Sequence, residues 1–276
     1  MINDIKDAPI VSVVMATFNE PKEVISLAIN SILSQTFTDL ELLIIDDSTD
    51  IETIKTINEL ALDKRIIVYR ESERIGFVRA LNLGLRKAKG KYIARMDGDD
   101  ISIINRLNIQ VSFLEQNPEY AVVGGAINIM NNRGVITSQR FYPTSSFKLN
   151  MWSIFRSPFA HPTVMMRREI VDKGFLYNEN FVKSEDLEFW MRLMKNNYKF
   201  YNLKNILLNF RIGEDFGNKR SGSQLKSNYR ARYLNFSWDS PFRSILSLLV
   251  ARIYTITPQT FIKNFYKFEN TKSNSK

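Results

Sequence analysis

Three carboxylates crowd into four residues at Asp97-Gly98-Asp99-Asp100. They follow Tyr92-Ile93-Ala94-Arg95-Met96, which reads as a buried strand. Carboxylates this close repel one another, and the cost falls when a cation sits among them. Their oxygens are hard ligands suited to Mg²⁺ or Mn²⁺, and such an ion usually completes its shell with water and substrate phosphates. The alternative is a solvated acidic turn, because Asp and Gly are common turn formers. Taken alone, the four residues weigh the two readings equally. The elements that position them decide.

The first half of the chain alternates strand-like and helical patterns. Runs at 10–17, 40–46, 65–70 and 91–97 predict strands, with helices at about 21–34, 51–62 and 77–88. Pro21 suits a first helical position, and Gly90 suits the stop after the third helix. This βαβ alternation predicts a largely parallel sheet between helices. Ligands of such sheets bind at the carboxyl ends of the strands. Polar residues collect there: Thr17, Asn19 and Glu20 after the first strand, Asp46 to Asp50 after the second, Gly76 after the third, and the aspartates after the fourth. Together they predict one cleft for a polar, phosphate-bearing ligand. Further on, 102–116 and 187–196 read as helices and 121–126 and 200–203 as extended. Residues 213–223 read as a loop, 227–268 as a basic helical stretch and 271–276 as disordered.

At 276 residues the chain suits one large domain, or a domain with an appendage. We expect an α/β domain over 1–224 and a helical extension over 225–276. The absence of cysteine excludes structural disulfides, thiolate metal sites and a cysteine nucleophile. The first residues lack the pattern of a signal peptide, and no apolar run approaches the roughly 18 residues that span a bilayer. A cytoplasmic protein is therefore expected. The net charge of +9 is unevenly placed: residues 192–276 carry 16 basic and 4 acidic side chains, and residues 1–191 carry 22 and 25. The excess predicts an acidic partner for the last third: anionic lipid, nucleic acid or phosphorylated substrate.

Several motifs extend the pattern: VSVVMATFNE at 11–20, SILSQTF at 31–37, LIIDDS at 43–48, GFVRALN at 76–82 and YIARMDGDD at 92–100. Arg106-Leu107 with Gln110, His161-Pro162-Thr163-Val164 and SEDLEFWMRL at 184–193 follow. In these residues the chain resembles bacterial family 2 glycosyltransferases of the GT-A fold, the kind that build O-antigen and other exopolysaccharides. The likeness covers about residues 9–212. It implies a mostly parallel central sheet flanked by helices and a nucleotide-sugar donor, UDP-sugar first among them. It also implies a divalent metal, Mn²⁺ or Mg²⁺, and inverting transfer to the hydroxyl of a saccharide acceptor carried on a lipid. Such transfer needs a base for the hydroxyl, alignment, and charge relief on the departing diphosphate.

The resemblance assigns roles residue by residue. Asp97 and Asp99 match the Asp-x-Asp motif: Asp99 binds the metal, and Asp97 reaches either the ribose or the metal. Asp100 instead caps the helix that follows or pairs with Arg106. Asp47 matches the carboxylate that reads the nucleobase. Thr17 and Glu20 line the same pocket, and Asp46 supports the turn. Gly76 and Arg79 join the nucleotide-sugar set, with a solvated helix face as the equal alternative for Arg79. Asp186 matches the catalytic base, and Glu185 orients the acceptor or exchanges roles with it. Glu185 and the apolar Phe189 and Trp190 would raise the proton affinity of Asp186. The alternative is that Asp186, like Ser184, merely caps the helix. His161, the single histidine, contacts donor, acceptor or metal, or is structural. Arg211 and the segment Lys219-Arg220-Ser221 either close over the donor diphosphate or form a solvated basic loop. Trp190 reads as core, since Leu187, Met191 and Met194 share its helical face.

In the last third, Phe242, Ile245, Leu246, Leu249, Val250 and Ile253 fall on one side of a helix, and Arg243, Ser244, Ser247 and Tyr254 on the other. Lys263 and Lys267 lie beyond. A basic amphipathic helix rich in aromatics suits an anionic membrane surface, at the inner face of the cytoplasmic membrane. The alternative is a helix packed on the catalytic domain. Two other readings compete with the glycosyltransferase. A nucleotidyltransferase would carry a glycine-rich basic phosphate loop near the amino terminus, which is absent. A nucleic-acid binder would place phosphate against acidic strand ends, so nucleic acid is not expected as a partner.

Overall fold

β1 (Val11–Thr17) is buried along its whole length. Its side chains divide with the period of two that a strand imposes. Val11, Val13 and Met15 face one apolar layer, and Val14 and Ala16 the other. The first layer is closed by α1 (Lys22–Leu33), α2 (Ile51–Leu60) and α4 (Arg106–Gln116). The second is closed by α3 (Phe77–Lys87) and α7 (Glu185–Lys195). A sheet covered on both faces needs mostly apolar strands, and β1, β2 (Leu40–Asp46) and β4 (Tyr92–Asp97) are mostly apolar and buried along nearly all their length. The structure is a computed structural model, and it describes residues 8–181, 183–213 and 222–257.

β1 pairs in parallel with β2 and β4, and β2 with β3 (Ile66–Tyr69). These four strands and the helices between them follow the predicted pattern closely. Beyond β4 the sheet is mixed. Its order is β3-β2-β1-β4-β8-β6-β9-β5, with β7 (Ile136–Arg140) on β6. β8 (Met165–Arg167) runs antiparallel between β4 and β6 (Tyr120–Met130), while β9 (Lys199–Arg211) runs parallel to β6. β5 (Ile101–Ser102) begins three residues after β4 ends, yet it pairs with β9, three strands away. The aspartate segment therefore crosses the carboxyl edge of a curled sheet.

Several boundaries differ from expectation. The helix expected over 102–116 begins at Arg106, because Ile101 and Ser102 are taken by pairing with β9. β9 is far longer than the extended 200–203, and β6 outruns 121–126 at both ends. The helical stretch expected from 227 is two helices, α8 (Gly222–Leu234) and α9 (Pro241–Ile256), the second opening on a proline. α5 (Ser146–Trp152), the turn His161–Thr163, β7, β8 and α6 (Glu169–Asp172) were not anticipated.

α8 packs on α7 and α9: Ser184 Oγ donates to Asn228 Oδ1 at 2.7 Å, and Arg232 Nη2 to Ser153 O at 3.2 Å. α9 meets the protein through Ser244, Ser247 and Ala251, and its apolar Phe242, Ile245, Leu249 and Ile253 are exposed. Among the described residues, no helix is long and apolar enough to cross a membrane. The Lys219-Arg220-Ser221 segment, Lys263, Lys267 and the end expected to be disordered lie outside the described residues.

Candidate active site

Asp97, Asp99 and Asp100 offer one carboxylate oxygen each, all within 4.8 Å of one another. Arg95 lies two residues before Asp97 on the same strand face, and its buried guanidinium grips the half-buried carboxylate with both terminal nitrogens, Nη1 and Nη2. Asp100 is fully buried. Its Oδ1 accepts from the Arg211 backbone N–H at 2.8 Å, and its Oδ2 has no hydrogen-bond partner. It neither caps α4, whose cap position is Asn105, nor bonds to Arg106. Burial, then Asp97, pushes Asp99 up to about 6, and burial pushes Asp100 well above the usual carboxylate range. A buried carboxylate oxygen with no donor, beside two more carboxylates, is the environment a divalent cation relieves. The donor set is all oxygen, as Mg²⁺ or Mn²⁺ require. The residues present fit such an ion.

Arg211 ends β9 and wraps the same segment. Its Nε donates to Asp99 O at 2.8 Å and its Nη1 to Asn132 O at 3.1 Å. Glu20 lies against the cluster from the β1 side. Both its oxygens accept from Phe18 N–H, at 3.1 and 2.9 Å, and burial raises it to about 7. A Cβ on Gly98 would stand 3.0 Å from the Glu20 carboxyl, so glycine at this position lets Glu20 close over the loop.

The β1 and β2 ends are knitted together. Thr17 Oγ1 donates to Asp46 Oδ1 at 3.2 Å, and Arg70 Nε donates to Asp46 Oδ2 at 3.0 Å. Against burial, which raises it, hydrogen bonds from Ser48 and Arg70 hold Asp46 below the usual range. Asp47 holds the entrance to α3, accepting from Ile75 N and Gly76 N at 2.8 Å each. Gly76 has φ +79°, a conformation glycine adopts freely. Arg74, in the same loop, stacks its guanidinium 3.7 Å from the centroid of the Phe18 ring. Thr17, Glu20, Asp47, Gly76 and the aspartates thus gather at one edge. Arg79 is 65% exposed and paired with Glu179 at 3.0 Å.

A second acidic pair opens α7. Its cap position, Ser184, makes no side-chain cap, and backbone N–H groups of the segment donate to Glu185 and Asp186. Glu185 is 9% exposed, and its Oε2 has no partner. Burial, then Asp186, raises Glu185 to about 7. Burial also raises Asp186, although Ser157 Oγ donates to its Oδ2 at 2.8 Å. Behind the pair, His161 Nε2 meets Tyr177 Oη at 2.7 Å, and the ring packs edge-on near Trp190. Burial holds His161 well below its ordinary proton affinity, so it is neutral. Trp190 is fully buried between Phe159, Phe189 and Phe200. Arg95 links the two acidic groups: its charge acts on Asp99 and Asp100 and also on Glu185 and Asp186.

Sequence reasoning gave no role to Arg95 or Ser157. A cation inside an apolar strand, two positions from an aspartate, was the available signal for Arg95. Ser157 sits in an irregular segment and had none.

A sheet edge holding an acidic cluster able to take a cation, with a second buried carboxylate pair in the field of the same arginine, defines a group-transfer enzyme for a phosphate-bearing ligand. The chain belongs to Glycosyl transferase family 2, whose model matches residues 12–175. It is 37% identical over 207 residues to the O-antigen biosynthesis glycosyltransferase WbnJ of Escherichia coli, covering 73% of this chain and 79% of that protein. It is 27% identical over 270 residues to the E. coli UDP-Glc:alpha-D-GlcNAc-diphosphoundecaprenol beta-1,3-glucosyltransferase WfgD, covering 96% and 99%. The fold matches the crystal structure of S. aureus TarS 1-349 in complex with UDP-GlcNAc at a TM-score of 0.68 and 20% identity, covering 86% of this chain and 70% of that one. The GT-A architecture is therefore the one present, with α8 and α9 added.

Proposed function

We propose that this glycosyltransferase inverts the anomeric centre as it moves a sugar from a UDP-sugar to a hydroxyl of a lipid-linked saccharide in surface-polysaccharide synthesis. The observation that carries this reading is the orphaned Asp100 Oδ2 beside Asp97 and Asp99, with the charge of Arg95 acting on this cluster and on a second acidic pair. Asp186 takes the acceptor proton on Oδ1, because Oδ2 is held by Ser157. Glu185 orients the acceptor. Thr17, Glu20, Asp47, Gly76 and Arg79 line the nucleotide pocket, and Arg211 and His161 border it. Asp97, Asp99 and Asp100 hold Mn²⁺ or Mg²⁺. When bound, the ion supplies positive charge against the diphosphate that leaves. Residues 1–224 form the catalytic unit, and 225–276 carry it to the inner face of an anionic membrane, where a lipid-linked acceptor is met. The name of WfgD supports a diphosphate-lipid acceptor, and the TarS complex supports a uridine nucleotide.

Thermal stabilisation by UDP, GDP and dTDP, each with and without Mn²⁺, tests the reading. A shift for UDP that needs the metal, and that Asp99→Ala removes, is expected. No metal-dependent shift with any nucleotide would sink it.

A further inference from the structure

α9 is turned inside out for a helix on a soluble domain. Its buried edge is Ser244, Ser247 and Ala251, while Phe242 is 80% exposed and Leu249 and Ile253 are more than half exposed. An amphipathic helix normally buries its apolar stripe. Here small residues allow close packing on α8, and the stripe is left facing outward. The neighbouring α5 repeats the pattern. Phe147 is 76% exposed, and Met151 and Phe155, successive turns along the same segment, are also exposed. The two elements are joined: Arg243 Nη1 of α9 donates to Asn150 Oδ1 of α5 at 2.8 Å. Ser153 and Ile154 share a small cavity with Ser244 and Ser247. Trp238, just before α9, is 84% exposed.

We propose that the outward faces of α5 and α9 form one composite seat for an anionic lipid bilayer, continuous with the acceptor side of the cleft. The proposal deepens the lipid-linked-acceptor reading and rests on it for the acceptor alone. Charge selects the occupant. Of the basic side chains in 222–257, Lys226, Arg230 and Arg252 are exposed, against the single acid Asp239, and 141–160 carry the exposed Lys148 and half-buried Arg156 and no acid. An apolar stripe in a basic surround suits anionic headgroups over acyl chains. A second copy is disfavoured, because a twofold contact would press this positive face against itself. The position is also informative. Phe155 is two residues from Ser157, whose hydroxyl holds Asp186. Two residues of chain span about 7 Å at most, so the seat adjoins the carboxylate that would meet the acceptor.

Sedimentation of the full chain with phosphatidylglycerol vesicles, against phosphatidylcholine vesicles and high salt, tests this. Two variants carry the test: Phe242→Glu with Leu249→Glu on α9, and Phe147→Glu with Met151→Glu on α5. Wild type is expected to pellet with the anionic vesicles only. Each variant is expected to lose about tenfold or more in vesicle affinity, with its melting temperature and metal-dependent nucleotide shift unchanged. In wild type, Trp238 fluorescence is expected to be quenched by lipids brominated in the acyl chain, and the quenching to vanish in Trp238→Phe. Failure of wild type to pellet, full binding by the α5 variant, or no quenching would overturn the seat. A fall of several degrees in the melting temperature of either variant would mean that the face is packed within the free protein, and would overturn it too. A dimer that the α9 variant disperses would give the face to a second copy. Any of these with an intact nucleotide shift sinks the seat and leaves the transfer reaction standing, and failure of wild type to pellet also removes the membrane role proposed for 225–276. Loss of the nucleotide shift with intact vesicle binding sinks the glycosyltransferase reading alone.

Discussion

At the end of β4, Asp97 lies in the fork of Arg95 and the guanidinium of Arg211 crosses the backbone of Asp99. At the start of α7, the Ser157 hydroxyl and backbone N–H groups donate to Glu185 and Asp186, and one Glu185 oxygen has no partner. Both groups crowd carboxylates around one buried member, Asp100 in the first and Glu185 in the second. The first is surrounded by cations and still has an unsatisfied oxygen, so it is built to take another cation. In the second, burial raises both members, so under the proposed function it is suited to take a proton. What separates the proposed metal site from the proposed general base is the company the carboxylates keep.

The largest effect should come from Asp186→Asn. Turnover is expected to fall about 10³-fold, within the range general bases contribute, with the metal-dependent nucleotide shift unchanged. Substantial turnover in this variant, with little in Glu185→Gln, would exchange the two roles.

Arg95→Met attacks the other side of the comparison. It leaves the half-buried Asp97 without its partner beside two more carboxylates, and urea unfolding should report a loss of about 1–3 kcal/mol. A variant as stable as wild type would mean that the arginine does not compensate the cluster.

Glu185→Gln sharpens the contrast through pH. The folded-state value of Glu185, about 7, lies above the ordinary 4.5. Its contribution to stability is therefore present below about 4.5 and lost as pH rises through about 7. The glutamine variant should match wild type near pH 5 and exceed it at pH 8, by on the order of 1–3 kcal/mol. Equal stability at both pH values would remove the claim that this pair is held by desolvation.

Ser157→Ala is the mildest change. Losing a hydrogen bond to a charged group should raise the acidic limb of the kcat/KM profile by about one pH unit. Ser157→Thr should restore it, and an unmoved profile would make the serine merely structural.

The four parallel strands and their helices were legible because each is long enough to show a period, and their polar ends named most of the strand-edge cluster. β9 was mostly missed because Asn202, Asn205 and Asn209 interrupt its apolar pattern, and its pairing with β6 shifts register around Gly125. β8 and α6, at three and four residues, are too short for any period to register. The apolar stripe of α9 was plain in the sequence, but which side meets the protein depends on α5 and α8, which no local pattern encodes. Ser157 becomes meaningful only once α7 is beside it.

β8 carries a mechanical consequence. It has three residues, and it is paired to β4 on one side and β6 on the other. The strands that bear the nucleotide-side residues and the strands behind the acceptor side are thereby one continuous plate. A plate has no hinge, so under the proposed function any opening for ligands falls to the loops along its rim, above a framework that the two carboxylate groups share.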